Sequence, residues 1–165
     1  MIGKEEEVIA VGAPSLLVEV LQVHRAHTLI CELAMGTLRY MVRGRRDDQM
    51  QAFIFSGFIP ILVEVLAIHQ TNTAICDHAS VTLWYLVSVD SLKERLVSAG
   101  AVPVLVETWY HQYGEARTFS RYALEVIGYN YDGSKSKPRC YFSEELLRRT
   151  YFQRVQLKLF QVFLA

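Results

Sequence analysis

Cysteine, proline, net charge and long apolar runs are all scarce in this chain, and each scarcity closes off a class of function. Three cysteines among 165 residues are too few for a disulfide framework. The opening Lys4-Glu5-Glu6-Glu7 is charged where a secretory signal needs an apolar core. A reducing, cytoplasmic setting is therefore expected, with the nucleus or the cytoskeleton as variants. Seventeen Lys and Arg balance seventeen Asp and Glu, leaving no overall field to attract nucleic acid, so no specific nucleic-acid partner is expected. Apolar runs such as residues 49–63 stop short of the roughly 18–20 residues a span requires and carry Pro60, so no transmembrane segment is expected. Gly12, Gly57 and Gly100 stand alone rather than forming a phosphate cradle, and no nucleophile elbow or metalloprotease helix pattern occurs. The chain reads as a non-enzyme without cofactor or metal.

What is present is a hydrophobic content of 52%, enough for a substantial core, and one phrase written three times. Val11-Gly12-Ala13-Pro14-Ser15-Leu16-Leu17-Val18-Glu19-Val20-Leu21 returns as Ser56-Gly57-Phe58-Ile59-Pro60-Ile61-Leu62-Val63-Glu64-Val65-Leu66. It returns again as Ala99-Gly100-Ala101-Val102-Pro103-Val104-Leu105-Val106-Glu107-Thr108-Trp109. Self-similarity at this period signals stacked helical repeats.

Each copy predicts a short helix, a glycine turn and two further helices. In the third copy Asp90 or Ser91 is placed to cap Leu92 to Ala99, and Asp47 or Asp48 to cap Gln49 to Ser56. The glycine ends that helix in the left-handed conformation, and proline follows in the first turn of the next. Second helices are expected at Leu16 to Val23, Pro60 to Ile68 and Pro103 to Tyr110. In the third helices, Ile30-Cys31-Glu32-Leu33-Ala34 to Val42 aligns without gaps on Ile75-Cys76-Asp77-His78-Ala79 to Val87. One inserted residue brings Ala123, Ile127 and Tyr129 into the same register as Ala34, Leu38 and Tyr40. The small and aliphatic positions recur every four residues, one face of a helix.

Gly-Ala-x-Pro-x-Leu-Val-x-x-Leu followed by Ala-x-x-x-Leu resembles the armadillo repeat, with the HEAT repeat as the near alternative. The resemblance implies an all-α, right-handed solenoid of three-helix units at about 1–44, 45–89 and 90–131. It also implies a non-catalytic protein-binding scaffold whose third helices line a concave groove. In peptide-binding armadillo proteins an Asn two residues after the aligned Leu grips the ligand backbone, with a Trp four residues before it. Here the Asn positions hold Tyr40, Tyr85 and Tyr129, and the Trp positions hold Gly36, Val81 and Glu125. A tyrosine ladder of Tyr40, Tyr85 and Tyr129, extended by Trp84, is the candidate contact surface for a protein partner or peptide segment. The alternative is that these rings pack between neighbouring third helices.

The remaining residues break the pattern. Residues 132–142 have linker composition, and Ser143-Glu144-Glu145 opens a C-terminal helix over 143–165 with Leu147, Tyr151, Val155, Leu159, Val162 and Phe163 on one face. From Asp132 onward seven Lys and Arg face three Asp and Glu. That helix serves either to cap the array or, as a basic amphipathic surface, to dock on a partner or an anionic membrane. The competing functional class is a structural subunit or fragment of a larger assembly, such as a cytoskeletal one, whose apolar surface is permanently covered. His24, His27 and Cys31, and likewise Cys76-Asp77-His78, have the residue types of metal or nucleophile chemistry. Yet Cys31 and Cys76 share one repeat position and are expected in the core, and neighbours on a helix point about 100° apart. Arg43-Gly44-Arg45-Arg46 is followed by Asp47-Asp48 and reads as a solvated turn.

Overall fold

Three glycines in the left-handed region set the frame. The computed structural model describes residues 12–43, 50 and 56–136. Gly12, Gly57 and Gly100 have φ of 86°, 75° and 82°, and a helix starts directly after each. An L side chain is strained at such a φ, so glycine recurs at the turn that opens each of these helices.

Seven helices occur among the described residues. They are α1 (Ala13–His24), α2 (Thr28–Val42), α3 (Phe58–Ile68), α4 (Thr73–Val87), α5 (Asp90–Ser98), α6 (Ala101–His111) and α7 (Gly114–Ile127). No strand occurs among those residues, only an isolated bridge between Tyr129 and Lys135. The protein is all-α in its described part. The second helices start earlier than proline placement predicts, because the glycine itself is their N-cap. The start of α5 also differs: Val89 is its N-cap, and Asp90 is its first residue and pairs with Lys93 at 2.8 Å instead of capping. The first-copy and second-copy counterparts of α5, including Asp47 and Asp48, lie outside the described residues, as does the helix predicted over 143–165.

Helices α2, α4 and α7 pack in that order as one row, and α1, α3 and α6 as a second. Pairs α1–α2, α3–α4 and α6–α7 join the rows, and α5 lies against α3, α4 and α6. The core fills the space between, with Leu21, Leu38, Leu62, Leu66, Leu83, Leu105 and Leu124 fully buried. Burying a Leu contributes about 1.5–3 kcal/mol, so this layer supplies most of the adhesion between rows.

The copies share polar details as well as leucines. Cys31 Sγ donates to the carbonyls of His24 and Arg25, and Cys76 Sγ to those of His69 and Gln70. Between copies, His69 Nε2 lies 2.8 Å from the Arg25 carbonyl, and Gln112 Nε2 donates to the Gln70 carbonyl at 2.6 Å. His69 and Gln112 sit at the same distance from their turn glycines. A buried side chain at that position meets a carbonyl just past the end of the equivalent helix in the preceding copy, where a thiol is the other, weaker donor.

Candidate binding face

The α2–α4–α7 row carries most of the predicted contact residues. Tyr40, near the end of α2, is 63% exposed. Tyr85, its counterpart on α4, is half-buried, and burial pushes its phenol above the ordinary tyrosine value. Trp84 is also half-buried, its ring centroid 4.9 Å from that of Tyr85 and 5.3 Å from that of Phe119 on α7. Tyr129 departs from the ladder. Helix α7 ends at Ile127, Gly128 turns left-handed at φ 83°, and Tyr129 bridges to Lys135. Of the four predicted residues, Tyr40, Tyr85 and Trp84 lie on adjacent helices of one row, and Tyr129 lies in the turn beyond it.

A polar cluster missed by sequence reasoning crosses this row. Arg39 Nη1 on α2 lies 3.0 Å from Glu115 Oε2 on α7, and 3.4 Å from His78 Nδ1 on α4. Because guanidinium only donates, Nδ1 is the accepting nitrogen and His78 is neutral with its proton on Nε2. Burial, and then the adjacent Arg39 charge, hold His78 below its ordinary value. Asp77 Oδ1 accepts from the Ala116 amide at 2.7 Å in the first turn of α7, and burial raises its carboxyl above the usual range despite that bond. One signal for the cluster was available. Gly36, the only glycine inside a described helix interior, leaves room for His78, whose Nε2 would stand 3.3 Å from a Cβ at that position.

Among the described residues the cysteines and histidines do not assemble a reactive centre on this face. Burial, reinforced by Asp77, pushes the Cys76 thiol up to about 11, so it stays protonated and unreactive at neutral pH. Asp77 is turned to the Ala116 amide rather than to the thiol. Cys31 is fully buried, and His27 caps α2 by accepting from the Ile30 amide. Among the described residues no group of three His, Cys, Asp or Glu side chains is arranged to hold a metal ion. None of their helices is long and apolar enough to cross a membrane. From Gly44 to Asp48 the basic turn and its acidic partners lie outside the described residues, as does Cys140.

The row therefore carries aromatic rings, Tyr40, Tyr85 and Trp84, on the helices that the Arg39–His78–Glu115 cluster crosses. Comparison with family models, curated proteins and solved structures finds no match to this chain.

Proposed function

We propose that the chain is an armadillo-type solenoid of three units that binds an extended or helical protein segment on its α2–α4–α7 face. Two arrangements support the solenoid reading. The helices fall into two rows in chain order, and equivalent side chains make equivalent hydrogen bonds from unit to unit. The Arg39–Glu115 pair supports concavity on this face: two side chains meet across an intervening helix most readily where the row bends toward them.

The observation that carries the binding reading is the exposure of Tyr40, at the repeat position that half-buried Tyr85 holds on the neighbouring helix. The exposed Tyr40 ring, on the same helix as the ion-paired Arg39, makes an anchor site for a partner side chain, with its hydroxyl at the wet edge. The Asn ladder is replaced by Tyr, so recognition rests on ring contacts more than on backbone hydrogen bonds. Selection of a displayed peptide library on the wild-type protein tests this. Enriched peptides should bind Tyr40→Ala about tenfold more weakly and Tyr110→Ala, exposed on α6, with unchanged affinity. Peptides insensitive to Tyr40→Ala would overturn it.

A second reading, a subunit whose apolar surface is permanently covered, is favoured by one observation. Leu16, Val23, Leu29 and Leu33 are between 59% and 76% exposed on α1 and α2.

A further inference from the structure

Helix α7 stops at Ile127, and Gly128, at φ 83°, turns the chain back so that residues 129–136 fold onto α6. The Tyr131 ring stacks on Trp109 at 4.7 Å with the planes 22° apart, and its hydroxyl donates to Glu125 Oε1 on α7. A Cβ at Gly133 would stand 3.9 Å from Val106 Cγ2 and 4.0 Å from Val102 Cγ1, ordinary contact distances. Val102, Val106 and Trp109 share one face of α6 and form a ridge. Their first-copy equivalents Pro14, Val18 and Leu21 are buried, as are Ile59, Val63 and Leu66 in the second copy. In the third copy it is this turn that covers the ridge.

The turn satisfies its own polar groups. The Asn130 amide donates to the Ser134 carbonyl at 2.8 Å, the Gly133 amide to the Asn130 carbonyl at 3.0 Å and the Ser136 amide to the Gly128 carbonyl at 2.8 Å. Asp132 Oδ1 accepts from both the amide and the hydroxyl of Ser134, and Asn130 Nδ2 donates to Ser134 Oγ at 3.0 Å. The Tyr129 amide, donating to the Leu124 carbonyl at 2.9 Å, makes the last backbone bond to α7. Among the described residues, every backbone hydrogen bond from Asn130 to Ser136 stays within residues 128–136. Contact with the body is made by side chains, with Tyr129 at the root and Tyr131 over α6 packed against the core. A segment bonded in this way can leave a surface without stranding its own donors and acceptors. Glycine at 128 gives the backbone the freedom to swing.

We propose that residues 130–136 are a lid on the α6 ridge, hinged at Gly128 and Tyr129 and latched by Tyr131, which opens as one unit while α6 and α7 stay folded. Opening breaks the ring stack on Trp109 and the hydroxyl bond to Glu125, and leaves the hydrogen bonds within the turn intact. It uncovers Val102, Val106 and Trp109, at positions that are buried in the other two copies. While shut, the lid holds the space that any further helix would need in order to stack on that ridge. The lid lies on α6, in the other row, so this device does not rest on the reading of the α2–α4–α7 face.

Native-state hydrogen exchange, read residue by residue by NMR on the full chain, tests the proposal. The amides of Asn130, Gly133 and Ser136 should be protected, yet open in a step that low denaturant hardly promotes, because little surface is exposed. The amides of Leu83 and Leu105, within α4 and α6, should follow global unfolding with its full denaturant dependence. Ile75→Val, at a fully buried position of α4, should speed the Leu83 and Leu105 amides by about threefold or more and leave the lid amides unchanged. Tyr131→Ala should speed the lid amides by about tenfold, and Tyr131→Phe, which keeps the ring, by less. Acrylamide quenching of Trp109, isolated from the other tryptophan by Trp84→Phe, should rise with Tyr131→Ala. Lid amides that exchange as fast as an unstructured chain overturn the proposal. So do wild-type lid amides that open only with the global denaturant dependence, whether or not the variants fold.

Discussion

Arg39 on α2 and Glu115 on α7 meet at 3.0 Å across the helix that separates them, with His78 of that helix 3.4 Å from the same guanidinium nitrogen. First and third copies are thus tied directly, on the face proposed to bind. Glu115 is 53% exposed, so the tie is screened and modest. A double-mutant cycle of Arg39→Ala and Glu115→Ala should give a coupling of about 0.5–1 kcal/mol that shrinks at high salt. Coupling near zero at low salt would show that the pair does not hold the row.

His78 makes that tie pH-sensitive. Its folded value lies below the ordinary histidine value of about 6.5, so as pH falls through that value the unfolded chain takes up the proton first. Stability is present above about pH 6.5 and is lost as pH drops below it toward the folded value. Protonated His78 also cannot accept from Arg39 at Nδ1. The thermal midpoint of the wild type should therefore fall between pH 7 and pH 5 more steeply than that of His78→Gln. Parallel curves would assign the pH dependence elsewhere.

Asp77 runs with the opposite sign. Its folded carboxyl is raised, chiefly by burial, so its charge opposes folding at neutral pH and the opposition fades as pH falls through the raised value. Asp77→Asn keeps an oxygen for the Ala116 amide without the buried charge and should be close to neutral at pH 7. Asp77→Ala leaves that amide without its acceptor and should cost about 1–3 kcal/mol in chemical denaturation.

Backbone strain sets the cost at the repeat glycines. Nothing lies within 4 Å of a Cβ built at Gly57 or Gly100, yet both have φ in the left-handed region. Gly57→Ala and Gly100→Ala should each destabilise by about 1–2 kcal/mol without repacking, read as a shift in denaturation midpoint with unchanged slope.

Much of the helix layout was legible in the sequence because its determinants are local. A glycine at the same offset in three copies, a proline in the following turn and alanines and leucines every fourth residue suffice to predict α1, α3 and α6 and their partners. Cys31 and Cys76 were legible as core residues for the same reason: they share a repeat position. The Arg39–His78–Glu115 cluster was not, since Arg39 lies 39 positions from His78 and 76 from Glu115, and no repeat position predicts the three together. Residues 132–136 have the composition of a linker, but Asp132 Oδ1 accepts from both the amide and the hydroxyl of Ser134, and the turn it organises covers α6. Tyr129 follows a glycine that the alignment passes over, and Gly128 ends α7 before the ladder position is reached.

Site-specific photo-crosslinking most directly tests the claim that the α2–α4–α7 face receives a protein segment. A photoreactive phenylalanine derivative at Tyr40, with the selected peptide as probe, should give a covalent adduct. The same derivative at Pro60, exposed at the start of α3 in the other row, should give none. Adducts at Pro60 with none at Tyr40 would contradict the account.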